Sequence, residues 1–126
     1  MATTTEHVEI SDSVAIADNA ATALTDEIVL NNEKPWLSVA VSVSGGSTVA
    51  LADFTIKIKT ARGQTTATDF DGWIGTNNLA TTAHGATESA TIFIGNVYSI
   101  QLYGTLASDP ASDVTVTVVG VASRHG

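Results

Sequence analysis

Hydrophobic and polar residues alternate along most of this chain with a period of two. Between Trp36 and Ser44 the odd positions are Leu37, Val39, Val41 and Val43, and the even ones are Ser38, Ala40, Ser42 and Ser44. Successive side chains of a β-strand point to opposite faces, so this spacing predicts a strand with one buried face. Within 49–59 the same rule turns Phe54, Ile56 and Ile58 inward and Thr55, Lys57 and Lys59 outward. It recurs as Ala90, Ile92 and Ile94, as Tyr98, Ile100, Leu102 and Leu106, and as Val114, Val116 and Val118. Near the N-terminus Val8, Ile10, Val14 and Ile16 are in phase, interrupted by Asp12.

One segment is ambiguous. Ala20, Leu24 and Ile28 repeat at helical spacing behind Asn19, a residue suited to cap a helix, yet Glu27-Ile28-Val29-Leu30 reads as the end of a strand. Thr22 and Thr25 favour strand, as does the surrounding pattern. Between the periodic runs lie turn residues: Asp18-Asn19, Asn31 to Pro35, Gly45-Gly46 as a tight turn, Ala61 to Gln64, and Ser108 to Asp113. Residues 65–87 form a long irregular stretch, and long excursions in small β-domains commonly make functional contacts.

About eight strands separated by turns predict an all-β protein, a single antiparallel β-sandwich of jelly-roll or Ig-like type. Residues 1–13 are a polar N-terminal arm or a first strand, 14–122 are the sandwich domain with its 65–87 loop, and 123–126 are a tail. The predicted core is Leu37, Val39, Val41, Phe54, Ile56, Ile58, Ile92, Ile94, Ile100, Leu102, Val116 and Val118. The edge strands carry few protective charges, which favours self-association or docking on a lattice through the arm and the 65–87 loop.

Composition narrows the function classes. The 126 residues suit one domain, and charged residues make up 14% against a usual ~25%, so hydroxyls and small side chains cover the surface. Thirteen acidic residues stand against five basic ones, a net charge of −8. Nucleic-acid binders need a basic stripe to neutralise phosphates, and only Lys57, Lys59 and Arg62 come close together. No nucleic-acid or membrane partner is expected. The start Met1 to His7 has no cationic segment followed by an apolar one, no apolar run approaches the ~20 residues of a membrane span, and cysteine is absent. Synthesis in a cytoplasm is the expectation.

Candidate chemistry is sparse. Asp69-x-Asp71-Gly72 begins like a calcium loop, but Trp73 and Ala80 stand where further ligands belong. His7, His84 and His125 lack metal-ligand spacing, and there is no G-x-S-x-G and no phosphate-cradling glycine pattern. No catalytic, cofactor-binding or metal-binding residue is therefore assigned, and no enzyme activity is expected. The candidate interaction residues are aromatic: Trp36 on the Ser/Ala face of its strand, and Phe70 and Trp73 in the long loop. Such groups anchor a partner subunit, stack on a sugar, or simply cap the end of the core.

The stretches Val14 to Leu24, 36–44, Phe54 to Ile58 and Val114 to Val121 give the chain a pattern that resembles small virion proteins of tailed bacteriophages, most of all capsid decoration (cement) proteins. The resemblance implies a non-enzymatic β-domain, often trimeric, that adds to the outside of a preassembled shell. Its partners would be the major capsid protein or other virion subunits and further copies of itself. It would be made in the host cytoplasm and carried on the outer surface of the virion, without a cofactor. Negative charge suits a position away from packaged DNA, and few long side chains lower the entropy lost on immobilisation. A tail, neck or fibre component fits the same features. A carbohydrate-binding or adhesin-like sandwich using Phe70 and Trp73 is the reading from a different class.

Overall fold

A computed structural model describes residues 7–71, 79 and 81–124. These fold into nine strands: β1 (His7–Ile16), β2 (Thr22–Ala23), β3 (Ile28–Val29), β4 (Trp36–Gly45), β5 (Leu51–Lys59), β6 (Thr68–Asp69), β7 (Thr87–Phe93), β8 (Ser99–Leu106) and β9 (Val114–Ser123). One antiparallel sheet has the order β1-β9-β4-β7, and the second has β2-β8-β5-β6, with β3 also paired to β8. β2 meets Tyr103 and Gly104 while β3 meets Ser99 and Ile100, so the two short pieces are one interrupted edge strand. Counted that way, eight strands form two four-stranded sheets whose order is that of a jelly roll. The protein is a β-sandwich, and the segment 20–30 is strand.

Burial follows the alternation. Leu37, Val41, Leu51, Ile56, Leu102, Val114, Val116 and Val118 are sealed from solvent between the sheets, joined by Val39, Phe54, Ile92, Ile94 and Ile100. Ile58 is the exception among the expected core positions. It is half-buried, because its neighbour on the outer side is the two-residue β6. The core also takes in Ile10, Ile16, Leu24, Leu30 and Leu79, so the first strand and the 65–87 segment both contribute to it.

One sequence alternative is decided and two expectations change. First, of the polar arm and the first strand, residues 7–13 take the strand: they belong to β1, whose ten positions from His7 to Ile16 pair with Ser123 to Val114 without a break. Second, Gly45-Gly46 is no hairpin turn: β4 and β5 lie in different sheets, and Gly45, with φ 107°, begins a crossover between them. Third, the edges of the first sheet are protected. The register sets Asp12 on β1 opposite buried Val118, and Glu88 on β7 opposite buried Val41. A carboxylate at an inward-facing edge position opposes the addition of another strand there. The second sheet ends in β6 and the interrupted β2/β3, which are too short to template a neighbour.

Loops at one end are tied together. Asn31 (φ 55°) and Asn32 (φ 59°) form a type I′ turn closed by a hydrogen bond from Glu33 N to Leu30 O at 3.2 Å. Asn32 Nδ2 then donates to Thr60 O at 3.0 Å and Asn96 O at 2.9 Å, joining three loops. This end of the sandwich holds Trp36 and Phe93, the aromatic residues of the surface described next.

Candidate interaction surface

The two sheets present opposite kinds of outer face. On β8 and β5 of the second sheet the outward side chains are polar and mutually satisfied. Lys57 pairs with Asp69 and lies 5.9 Å from the Tyr103 ring centroid. Lys59 Nζ is 3.3 Å from Glu27 Oε2, and Ser99 Oγ donates to the same oxygen at 2.5 Å. The Ser99 hydrogen bond, and then Lys59, hold the Glu27 carboxyl below the usual carboxylate range. Two of the three clustered basic residues are thus neutralised by carboxylates, a poor arrangement for phosphate.

This network has a pH signature. Because its folded-state pKa is lowered, Glu27 contributes stability above its unfolded pKa, and that contribution is lost as pH falls through the folded value. Glu27→Gln is expected to flatten the decline of melting temperature on acidification, measured by circular dichroism against the parent. An unchanged acid limb would mean that other carboxylates carry the dependence.

The outer face of the first sheet is different. Its outward positions on β4, β7, β9 and β1 are Ser, Thr, Ala and Val, with an aromatic pair at one corner and His7 and Glu9 as its titratable side chains. Hydroxyls facing across the strands bond to each other: Ser38 with Thr91 at 3.0 Å, Ser42 with Thr87 at 2.8 Å, and Ser13 with Thr117 at 3.0 Å. Such cross-strand pairs stabilise the ladder and hold the surface flat and short. Val119 (52% exposed) and Val121 stand out as a ridge along β9. On one side lies a shallow groove of about 580 Å³ over Ser38, Ala40 and Ser89, and on the other one of about 650 Å³ over Glu9 and Ser11. Gly120 borders both.

The aromatic candidates separate in space. Trp36 begins β4 at the corner of this face and meets Phe93 edge-on, with centroids 5.0 Å apart and planes at 70°. Phe70 follows β6 at the edge of the second sheet, half-buried against the core, its N–H bonded to Ile56 O at 2.8 Å. Trp73 lies outside the described residues, as does His125. His84 Nε2 is 3.3 Å from Gly45 O, and Asp69 of the calcium-like stretch is occupied by Lys57. Among the described residues no three His, Asp or Glu side chains gather as they would around a metal ion.

Phe93, 55% exposed, was not singled out by the sequence reading, nor was Val119. The signal was present. Ala90, Ile92 and Ile94 set the inward phase of β7, which turns Phe93 outward, and Val114, Val116 and Val118 do the same for Val119.

No protein-family model and no curated protein matches the chain. Among solved structures it is similar to the SPBc2 prophage-derived protein YomS, at 16% identity and a TM-score of 0.49, covering 97% of this chain and 100% of that one. It is also similar to a chain from Bacillus endospore appendages, described as disulfide-linked pili, at 15% identity and a TM-score of 0.39, covering 98% and 96%. At that level of similarity they say nothing about what this chain does.

Proposed function

We propose that the protein is a non-enzymatic structural subunit of a virion, one that decorates and stabilises the outside of a phage capsid. The observation that carries this reading is the contrast between the two outer faces. One is an ion-paired, solvated surface; the other is flat, hydroxyl-lined and nearly free of charge, with Trp36 and Phe93 at its corner. A face of that kind loses little on desolvation, because its hydroxyls already bond to one another and its side chains are short. It suits contact with protein. The jelly roll is used by viral capsid domains, and by lectins as well. The intended partner is the major capsid protein or another virion subunit.

Attachment should depend on the aromatic groups, since large apolar side chains desolvated in an interface contribute most per residue. Phe93→Ala is expected to weaken co-sedimentation with capsids by about 2 kcal/mol, while Asp69→Ala leaves it unchanged. Trp73→Ala, in the long loop, tests the second aromatic anchor in the same assay. If the parent protein stays in the supernatant with intact capsids but is retained on a glycan array, the carbohydrate-binding reading replaces this one.

A further inference from the structure

We propose that the outer face of the β1-β9-β4-β7 sheet is a self-association surface, on which two copies of the chain pack about a twofold axis with the Val119–Val121 ridge of each seated in the other's groove beside β4. The proposal deepens the structural-subunit reading by assigning this face to a second copy, and leaves the capsid to the aromatic corner and the long loop.

Shape is the first argument. The ridge on β9 and the groove over Ser38, Ala40 and Ser89 are on the same face, so the surface carries both the projection and the recess that would receive it. An interface between identical patches about a twofold axis requires that kind of self-complementarity. The recess lies where the outward side chains of β4 and β7, among them Ala40 and Ser89, are short.

Charge is the second. A molecule with net charge −8 repels its own copies, most strongly where carboxylates face each other. The first sheet's outer face has Glu9 beside His7 at one end, 3.8 Å apart, and hydroxyls and aliphatics across the rest. Two copies approach at least electrostatic cost through this face. Away from its aromatic corner it also holds Val119, one of the three large hydrophobic side chains that are exposed among the described residues.

Area is the third. Four strands spaced ~4.8 Å apart and running for up to ten residues at ~3.3 Å each make a face of roughly 600 Å², so two copies bury about 1,200 Å², the lower bound for a stable specific interface. The inward carboxylates Asp12 and Glu88 discourage the competing edge-to-edge route.

The test uses the purified chain without particles, so its outcome is independent of capsid attachment. Sedimentation velocity across the micromolar range should give twice the chain mass. Val119→Lys should raise the dissociation constant at least ~tenfold with an unchanged circular dichroism spectrum, while Thr105→Lys, the same charge change on the opposite face, should not. The absence of cysteine makes single-cysteine variants clean probes. Under oxidation an equimolar mixture of Val119→Cys and Ala40→Cys chains should cross-link into mixed pairs, and a mixture of Val119→Cys and Thr105→Cys chains should not. A monomer at every concentration would overturn the proposal, as would a trimeric mass or a pair that Val119→Lys leaves intact.

Discussion

Removing residues 2–12 is expected to unfold the protein. The deletion takes His7 to Asp12, six of the ten positions that β1 pairs with β9, and with them the buried Ile10. Truncating a single buried isoleucine to alanine costs about 2–5 kcal/mol. Here the whole residue goes, and β9 loses most of one partner and becomes a new edge. A total loss of about 5 kcal/mol or more would consume most of the stability of a domain this size. Thermal unfolding by circular dichroism should show no cooperative transition near that of the parent, and soluble yield should collapse. A truncated protein that melts like the parent but no longer reaches the particle would instead make 7–12 a detachable arm.

Gly120→Ala is the second severe change. A methyl group at this position would sit 2.3 Å from Ser38 O and 3.0 Å from Val39 Cα. Both are backbone atoms of β4, held by the β4–β9 ladder, and neither can withdraw without breaking it. Overpacking against atoms that cannot move costs about 3 kcal/mol, and the cost falls on the central pair of the first sheet. Gly104→Ala meets the tips of Leu51 and Leu24 instead, side chains with freedom to turn, so its penalty should be smaller. Gly63→Ala meets nothing within 4 Å and serves as the neutral comparison. Equal melting temperatures for the Gly120 and Gly63 variants would show that β4 and β9 can shift apart.

The alternation in 36–44, 54–58 and 114–118 was enough to place Leu37, Val41, Ile56 and Val116 in the core, because a strand's two faces follow from its own backbone. The same local rule resolves the segment 20–30 only in part. Thr22-Ala23 and Ile28-Val29 are strand, but whether they form one edge or two depends on how β8 accepts them. Asp12 looks like a defect in the phase of the first strand until the register shows it opposite Val118 at an open edge. Gly45-Gly46 looks like a hairpin until its flanking strands are found in different sheets.

The candidate surface divides along the same line. That Phe93 and Val119 point outward is written in the phase of their own strands. That they share one face is not, since it requires β4 to lie between β7 and β9, so that Trp36 pairs with Phe93 on one side and Ser123 on the other, residues far from it in the chain. The sequence by itself determined the strands, the inward set of side chains, the all-β class and the scarcity of charge. These depend on neighbours one or two residues apart and on composition. Only the tertiary structure decided the jelly-roll order, the membership of β1 in the body, and the gathering of hydroxyls on one face and ion pairs on the other. Pairings between distant strands are chosen by the packing of all the strands together, which no single stretch of sequence contains.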